Sequence, residues 1–246
     1  VGAVDQSDRM SSFSSFGPAN DGRLLPNICG DGVDVLSTFF DNGYGIYSGT
    51  SMSTPGVAGT MALIYQRYKD THGGKRPDAA FLRALACNTA TDQGNPGPDY
   101  KYGYGEINGV KAVEAMEKNY YYSDSVGQDD LKARSITVPN GAVALKVMLA
   151  WNDPAGTVGS SRALVNDLDL SLSHDGDTIL PWVLNPLDPA ASAKRDYDGL
   201  NNMEQVTLSN PASGTYTVNV SGYEIPSGMQ NFSVVYDVVM PSLKIT

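Results

Sequence analysis

Two periodicities divide the chain near residue 120. Before that point apolar residues recur at helical spacing. Val57, Met61, Ile64, Tyr65 and Tyr68 line one side of a helix predicted over 51–69, and "HGG" after it is a stop signal. Asp78 is the expected N-cap of a second helix over 79–88, with Phe81, Leu82 and Leu85 on one face. Asn108 is the expected cap of a third, running to about residue 118. Strand-like runs at 1–4, 27–29 and 33–36 precede the first helix, and strands followed by helices read as an α/β half.

After "NYYYSDSVGQDD" the period changes to two. Val143, Leu145, Val147 and Leu149 alternate with Ala144, Lys146 and Met148, and Leu168, Leu170 and Leu172 alternate with Asp167, Asp169 and Ser171. Tyr216, Val218 and Val220 form a third such run, and Phe232, Val234, Tyr236 and Val238 a fourth. Turn residues (PNGA, HDGD, PASG, IPSG) separate these runs, the pattern of a β-sandwich or barrel. The expected organisation is an α/β domain over 1–118, a linker over 119–130 and an all-β domain over 131–246. The tyrosines of "NYYYS" are expected at the domain interface.

Composition narrows the function. The chain has 246 residues, enough for one large or two modest cores. Its formal net charge of −10 argues against nucleic acid and anionic membranes as partners, and no run is long enough to span a bilayer. Cys29 and Cys87 fit one disulfide or two buried free thiols, and their apolar neighbours (PNICG, ALACN) favour the thiols. The opening "VGAVDQSD" reads as a strand already under way, so the sequence is expected to be part of a longer or processed polypeptide.

The chemistry centres on "SGTSMSTPGVAGT", residues 48–60. A serine hydroxyl becomes a nucleophile only when a base takes its proton and donors stabilise the oxyanion. Ser51 is expected at the start of a helix, where free N–H groups and the positive end of the dipole favour developing negative charge. Gly49 lets a substrate backbone come close, and Pro55 is expected in the first turn, where its missing N–H costs nothing. The plainer alternative is that Thr50 or Ser51 only caps the helix.

The whole string resembles the nucleophile motif of the subtilisin-like serine proteases, usually Gly-Thr-Ser-Met-Ala-Ser/Thr-Pro. "VGAVD", "FSSFGP" and "DGVDVLST" upstream, and "LACNTATDQG" and "YGYGEINGVKAVEA" downstream, match that family in order over about residues 1–118. Ser53 and Gly56 are variations at places where the family tolerates small residues. The resemblance implies a partial parallel-sheet α/β domain, with Ser51 as catalytic nucleophile and Gly49, Thr50 and Ser51 supporting the cleft and part of the oxyanion hole. It further implies polypeptide substrates, no cofactor for the chemistry, and a secreted or cell-surface location. Subtilisin's triad is a worked case of general enzymology, so its roles are carried over from there.

The family's Asp, His and oxyanion-hole Asn precede "VGAVD" and are expected on an N-terminal part of the catalytic domain outside this sequence. His72 follows the helix of Ser51 and is expected roughly 30 Å away, far beyond hydrogen-bond reach. His174 lies in the hairpin turn "SHDGD". The chain alone is therefore expected to be inactive. Its first half is expected to cover its bare strand edge by binding the missing part, pairing with another copy, or packing on the β domain. Two other readings stay open: a non-catalytic binding or scaffold unit from a degenerate protease, and a sedolisin-like Ser-Glu-Asp peptidase.

In the β half, "LAWNDPAG", "LVNDLDLSL", "GLNNMEQVTL" and "SGTYTVNVSGY" resemble the C-terminal sandwich of some secreted subtilisin-like proteases, akin to the proprotein-convertase P domain. That likeness implies a jelly-roll-like form and calcium. Asp167 and Asp169, two apart on a strand, share a face opposite Leu168 and Leu170, and two such carboxylates repel unless solvated or bridged by a cation. Calcium takes about six to eight oxygens, which Asp153, Asn166, Asn202 and Glu204 would supplement. The alternative is a solvated polar face, with Asn166 and Asn202 tying down loops.

Overall fold

The computed structural model describes residues 1–226 and 228–241, and the chain divides into two compact units. The first contains Val1–Pro77, Thr89–Val113 and Leu184–Ala193; the second contains Asp78–Asn88, Glu114–Val183 and the chain from Lys194 onward. This partition departs from the contiguous one expected from sequence, because one helix leaves the α/β half and one loop leaves the β half.

In the first unit, β1 (Gly2–Val4) pairs in parallel with β2 (Cys29–Asp31), placing Ala3 opposite Gly30. The strand expected at 33–36 is one arm of an antiparallel hairpin, β3 (Val35–Phe39) with β4 (Gly43–Tyr47). At its tip Asp41 and Asn42 both take left-handed backbone angles, which Asp and Asn tolerate better than most residues. The chain then enters α1 (Thr50–Thr71). Only Ser53, Val57 and Ile64 of this helix are buried, a narrow seam against β1 and β2. Met61, Tyr65 and Tyr68 are half-buried. Gly30 and Gly32 make the contact possible: a Cβ on Gly30 would stand 2.8 Å from Val57 Cγ2, and one on Gly32 would stand 3.0 Å from Ser53 Cβ.

The second helix, α2 (Ala79–Asn88), begins at the expected cap: Asp78 Oδ1 accepts a hydrogen bond from Ala80 N at 2.7 Å. The third, α3 (Gly109–Glu117), is capped by Asn108, whose Oδ1 accepts from Lys111 N at 3.0 Å.

The β-rich unit contains β5 (Tyr121–Val126), β6 (Leu131–Val138), β7 (Ala144–Trp151), β8 (Asp167–His174), β9 (Asp177–Ile179), β10 (Trp182–Val183), β11 (Lys194–Arg195), β12 (Met203–Ser209), β13 (Gly214–Glu224) and β14 (Gln230–Val239). They form two four-stranded antiparallel sheets, ordered β12-β7-β14-β5 and β6-β13-β8-β9, with β10–β11 as a separate ribbon. The segment expected as a linker therefore carries a strand: residues 121–126 pair with β14 at the edge of a sheet.

Both sheets contribute to one core. Leu145, Val147, Leu149 and Trp151 of β7 meet Leu168, Leu170 and Leu172 of β8, Val218 and Val220 of β13, and Phe232 and Val234 of β14. Met148 and Ala150, on the other face of β7, are also fully buried, because α2 packs on β7 and β14 from outside. Gln205 Nε2 donates to Asn88 Oδ1 at 3.2 Å, fastening α2 to the sheet. The three tyrosines expected at a domain boundary pack inside this unit instead: Tyr120 stacks on Tyr236, Tyr121 tilts against Phe81, and Tyr122 meets Phe232 edge-on.

Candidate functional site

The loop leading to α1 is tied down at each residue before the helix. Ser48 Oγ accepts from Asp34 N at 2.8 Å and donates to Asp34 Oδ1 at 3.1 Å, closing the base of the hairpin. Gly49 N donates to Gly32 O at 2.7 Å, while Met52 N and Ser53 N turn back onto Gly49 O. Ser53 Oγ, completely buried, lies 2.7 Å from Gly2 O and 2.9 Å from Gly30 O, so its proton is shared between carbonyls of β1 and β2. Ser51 sits between these anchors with its side chain exposed.

Gly49 and Thr50, both half-exposed, precede Ser51, and Gly49 is extended. No side chain caps the helix, so neither Thr50 nor Ser51 acts as the N-cap of the plainer reading. The positive end of the helix dipole therefore lies at the turn that carries Ser51. Pro55 falls sixth in α1, past the first turn where the sequence suggested it, so its ring leaves the Ser51 carbonyl without the usual N–H partner from position 55.

A second cluster lies in the β-rich unit. One ligand-capable oxygen from each of Asp167, Asp169 and Glu204 falls within 4.8 Å of the others. Asp167 Oδ2 is held by Arg162 Nη2 at 2.6 Å, and Glu204 Oε2 accepts from Leu170 N at 2.8 Å. Asp167 Oδ1 and Glu204 Oε1 are buried without a hydrogen-bond partner. Asp198, buried nearby, accepts from Leu200 N and Asn201 N through Oδ1 and from Asn201 Nδ2 through Oδ2. Burial pushes the Asp167 carboxyl up to about 6, with Arg162 opposing and Asp169 and Asp198 reinforcing. Burial likewise raises Asp169, Asp198 and, most strongly, Glu204, whose carboxyl is further raised by Asp198.

The supplementary ligands expected from sequence divide. Glu204 joins the cluster. Asp153 instead accepts from Val165 N and Asn166 N, Asn166 Nδ2 donates to Gln230 Oε1, and Asn202 Nδ2 donates to Trp151 O. These three tie loops. Sequence reasoning missed Asp198, which sits in an irregular loop, and missed the anchoring by Ser53, whose only signal was a hydroxyl in a small-residue helix.

Residues 1–105 match the subtilase family, peptidase S8. This segment is subtilase-like. Over 266 aligned residues the chain is 25% identical to the serine protease/ABC transporter B family protein tagA of Dictyostelium discoideum, covering 92% of this chain and 15% of that protein. Over 133 residues it is 34% identical to the PII-type proteinase of Lactococcus lactis subsp. cremoris, covering 46% of this chain and 7% of the proteinase. The chain thus spans a small fraction of the length of these relatives. Among solved structures it is similar to a lanthipeptide protease, with a TM-score of 0.41, 27% identity and coverage of 47% of this chain and 40% of that one.

Within the subtilase-like segment, His72 caps the far end of α1. Its N–H reaches Tyr68 O and Lys69 O, and its ring stacks on Tyr68 at 3.9 Å. Ser51 and His72 are 21 residues apart along the helix (72 − 51), roughly 30 Å at about 1.5 Å each. His174, in the β-rich unit, stacks on Tyr216 at 4.0 Å, and its Nδ1 is 3.0 Å from Thr215 O. Cys29 and Cys87 are buried thiols not joined in a disulfide, and burial pushes each up to about 12, where it is a poor nucleophile. Glu106 lies near Asp8 and Asp31. Its carboxyl is pushed up to about 7, first by burial and then by a hydrogen bond and repulsion from Asp8.

Proposed function

We propose that this chain carries the nucleophile of a subtilisin-like serine endopeptidase, and that Ser51 is that nucleophile. The observation behind this reading is an exposed hydroxyl on the first turn of α1, with the turn fastened to β1, β2 and the hairpin on either side of it. The subtilase likeness of residues 1–105 supports it.

Ser51 Oγ attacks the carbonyl carbon of a peptide bond as a base removes its proton. The resulting oxyanion draws on donors of Thr50 and Ser51 at the α1 N-terminus, while Gly49, its N–H engaged by Gly32 O, keeps the approach to the cleft open. The tetrahedral species expels the amine, which leaves with the transferred proton, and water then releases the acyl group and restores the hydroxyl. The Asp, His and oxyanion-hole Asn come from an N-terminal part of the catalytic domain outside residues 1–246. Exposed Leu36, Phe40, Tyr44 and Ile46 of the hairpin and Leu63 of α1 give that part apolar surface to cover. The β-rich unit is a jelly-roll-like sandwich appended to the protease, a reading supported by its two antiparallel sheets around one core. By the same resemblance the protein works outside the cell or at its surface.

The test is labelling with a serine-reactive fluorophosphonate, read by peptide mass spectrometry. Residues 1–246 alone are expected to label barely, whereas the full-length polypeptide labels rapidly at Ser51 and loses peptide hydrolysis on Ser51→Ala. Rapid stoichiometric labelling of the isolated chain would refute the divided site. Undiminished hydrolysis in the full-length Ser51→Ala protein would refute Ser51 as nucleophile.

A further inference from the structure

We propose that the open pocket formed by β5, the start of β14, Asn152 and Asp78 is a saccharide-binding site of the β-rich unit. It encloses about 590 Å³, within the range of small-molecule sites, and its whole lining belongs to that one unit. The floor is fixed before any ligand arrives. Gln230 is buried, and its amide makes three hydrogen bonds: Oε1 accepts from Asn166 Nδ2 at 2.7 Å, and Nε2 donates to Asn152 O at 3.2 Å and to Asn231 O at 2.7 Å. The register of β5 on β14 sets Ser123 opposite Ser233, with hydroxyls 2.9 Å apart, and Ser125 opposite Asn231.

The rim is polar and largely unengaged. Asp78 Oδ1 caps α2 and Asp124 Oδ1 accepts from Ser125 N, which leaves the second oxygen of each carboxylate for a ligand. Asn152 Oδ1 accepts from Arg83 Nη2 at 3.3 Å, and its Nδ2 remains a donor. The Asn231 side chain and the Ser125 hydroxyl have no hydrogen-bond partner among the described residues. Carboxylates only accept, whereas amides and hydroxyls supply both senses of hydrogen bond. Such a mixture matches a ligand whose groups also donate and accept, as sugar hydroxyls do. A guanidinium or ammonium only donates, and would leave amide N–H groups facing other donors. An anion would face two carboxylates, with no cationic side chain among the described lining residues. Met229, 55% exposed, adds an apolar wall for the C–H face of a sugar ring.

Rigidity decides whether such a surface binds at all. A hydrogen bond exchanged with water gains little, so several must form at once on groups that need no ordering. The locked Gln230 amide and the strand register provide that order at Asn152, Asn231 and Ser125. The site belongs to a different unit from Ser51, so its test stands or falls without the protease reading.

The experiment titrates the full-length polypeptide with glucose, galactose, mannose, N-acetylglucosamine, cellobiose and lactose, and with N-acetylarginine amide as a cationic comparison. Binding is read by isothermal titration calorimetry and saturation-transfer NMR. At least one sugar is expected to bind with a Kd of about 1 mM or tighter. Asn231→Ala and Asp124→Ala are each expected to weaken it about tenfold. Both residues are exposed, so the variants keep the fold, which their melting temperatures check. Asp188→Asn, in the other unit, is expected to bind like the parent. Neither heat nor saturation transfer from any sugar at millimolar concentration would overturn the proposal, as would undiminished binding in either variant. Binding of the arginine amide alone, lost on Asp124→Ala, would overturn the choice of ligand.

Discussion

Strand β7 and helix α1 show two ways of using apolar sequence. From Leu145 to Trp151 every residue of β7 except Lys146 is buried, because one face meets the sheet-to-sheet core and α2 covers the other. Helix α1 carries the apolar run "GVAGTMALIY" yet buries only Ser53, Val57 and Ile64, leaving Leu63 69% exposed. Both segments are rich in aliphatic residues, so composition does not separate them. The first is completed by its own unit. The second is fixed along one seam, with the rest of its apolar surface open to solvent.

Truncation is the harshest test of that contrast. Trp151→Ala empties a fully buried site and loses the hydrogen bond from Nε1 to Asn166 O, and is expected to cost about 3–5 kcal/mol by urea denaturation. Leu63→Ala is expected within about 0.5 kcal/mol of the parent, since its side chain is mostly solvated. Equal losses at the two positions would erase the distinction.

Ser53→Ala probes the seam itself. It removes the buried hydroxyl that joins Gly2 O and Gly30 O to α1, with an expected loss of about 1–2 kcal/mol. Hydrogen exchange should quicken in β1, β2 and the first turn of α1 and stay unchanged in β7. Faster exchange spread evenly over the chain would show that Ser53 supports general stability rather than this joint.

The last test is electrostatic. The Glu106 carboxyl, ordinarily near 4.5, is raised to about 7, so the folded state holds its proton more tightly than the unfolded state does. That contribution is fully present below about pH 4.5 and is lost as pH rises through about 7. Glu106→Gln mimics the protonated form and removes the repulsion from Asp8 and Asp31. Its melting temperature should match the parent below about pH 4.5 and exceed it increasingly as pH rises through about 7. A gap that does not change with pH would contradict the origin of the shift.

Much of this was legible in the sequence because local signals were strong. Asp78 and Asn108 cap the helices they were expected to cap, and the alternating runs of β7, β8, β13 and β14 all became strands. What escaped was set by distant partners. Edge strand β6 buries little beyond Ile136 and Val138, so its alternation is faint. Strand β12 buries Glu204 and Gln205 as well as Val206, because Leu170 N–H and the Asn88 amide await them, and no period-two rule anticipates that. The same holds for the sites. Ser51 announced itself through its neighbours, and the Asp167–Asp169 pair through its spacing. The convergence of Glu204 on that pair needed the second sheet in place.

The hydrogen bond from Leu170 N to Glu204 Oε2 also finishes a ladder that its own sheet leaves short. Strand β9 pairs with β8 only from Leu172 to His174, so the backbone donor of Leu170 lies beyond the last rung. Glu204, arriving from the other sheet and almost wholly buried, supplies the acceptor that a longer β9 would have supplied. A side chain thus stands in for a missing stretch of main chain.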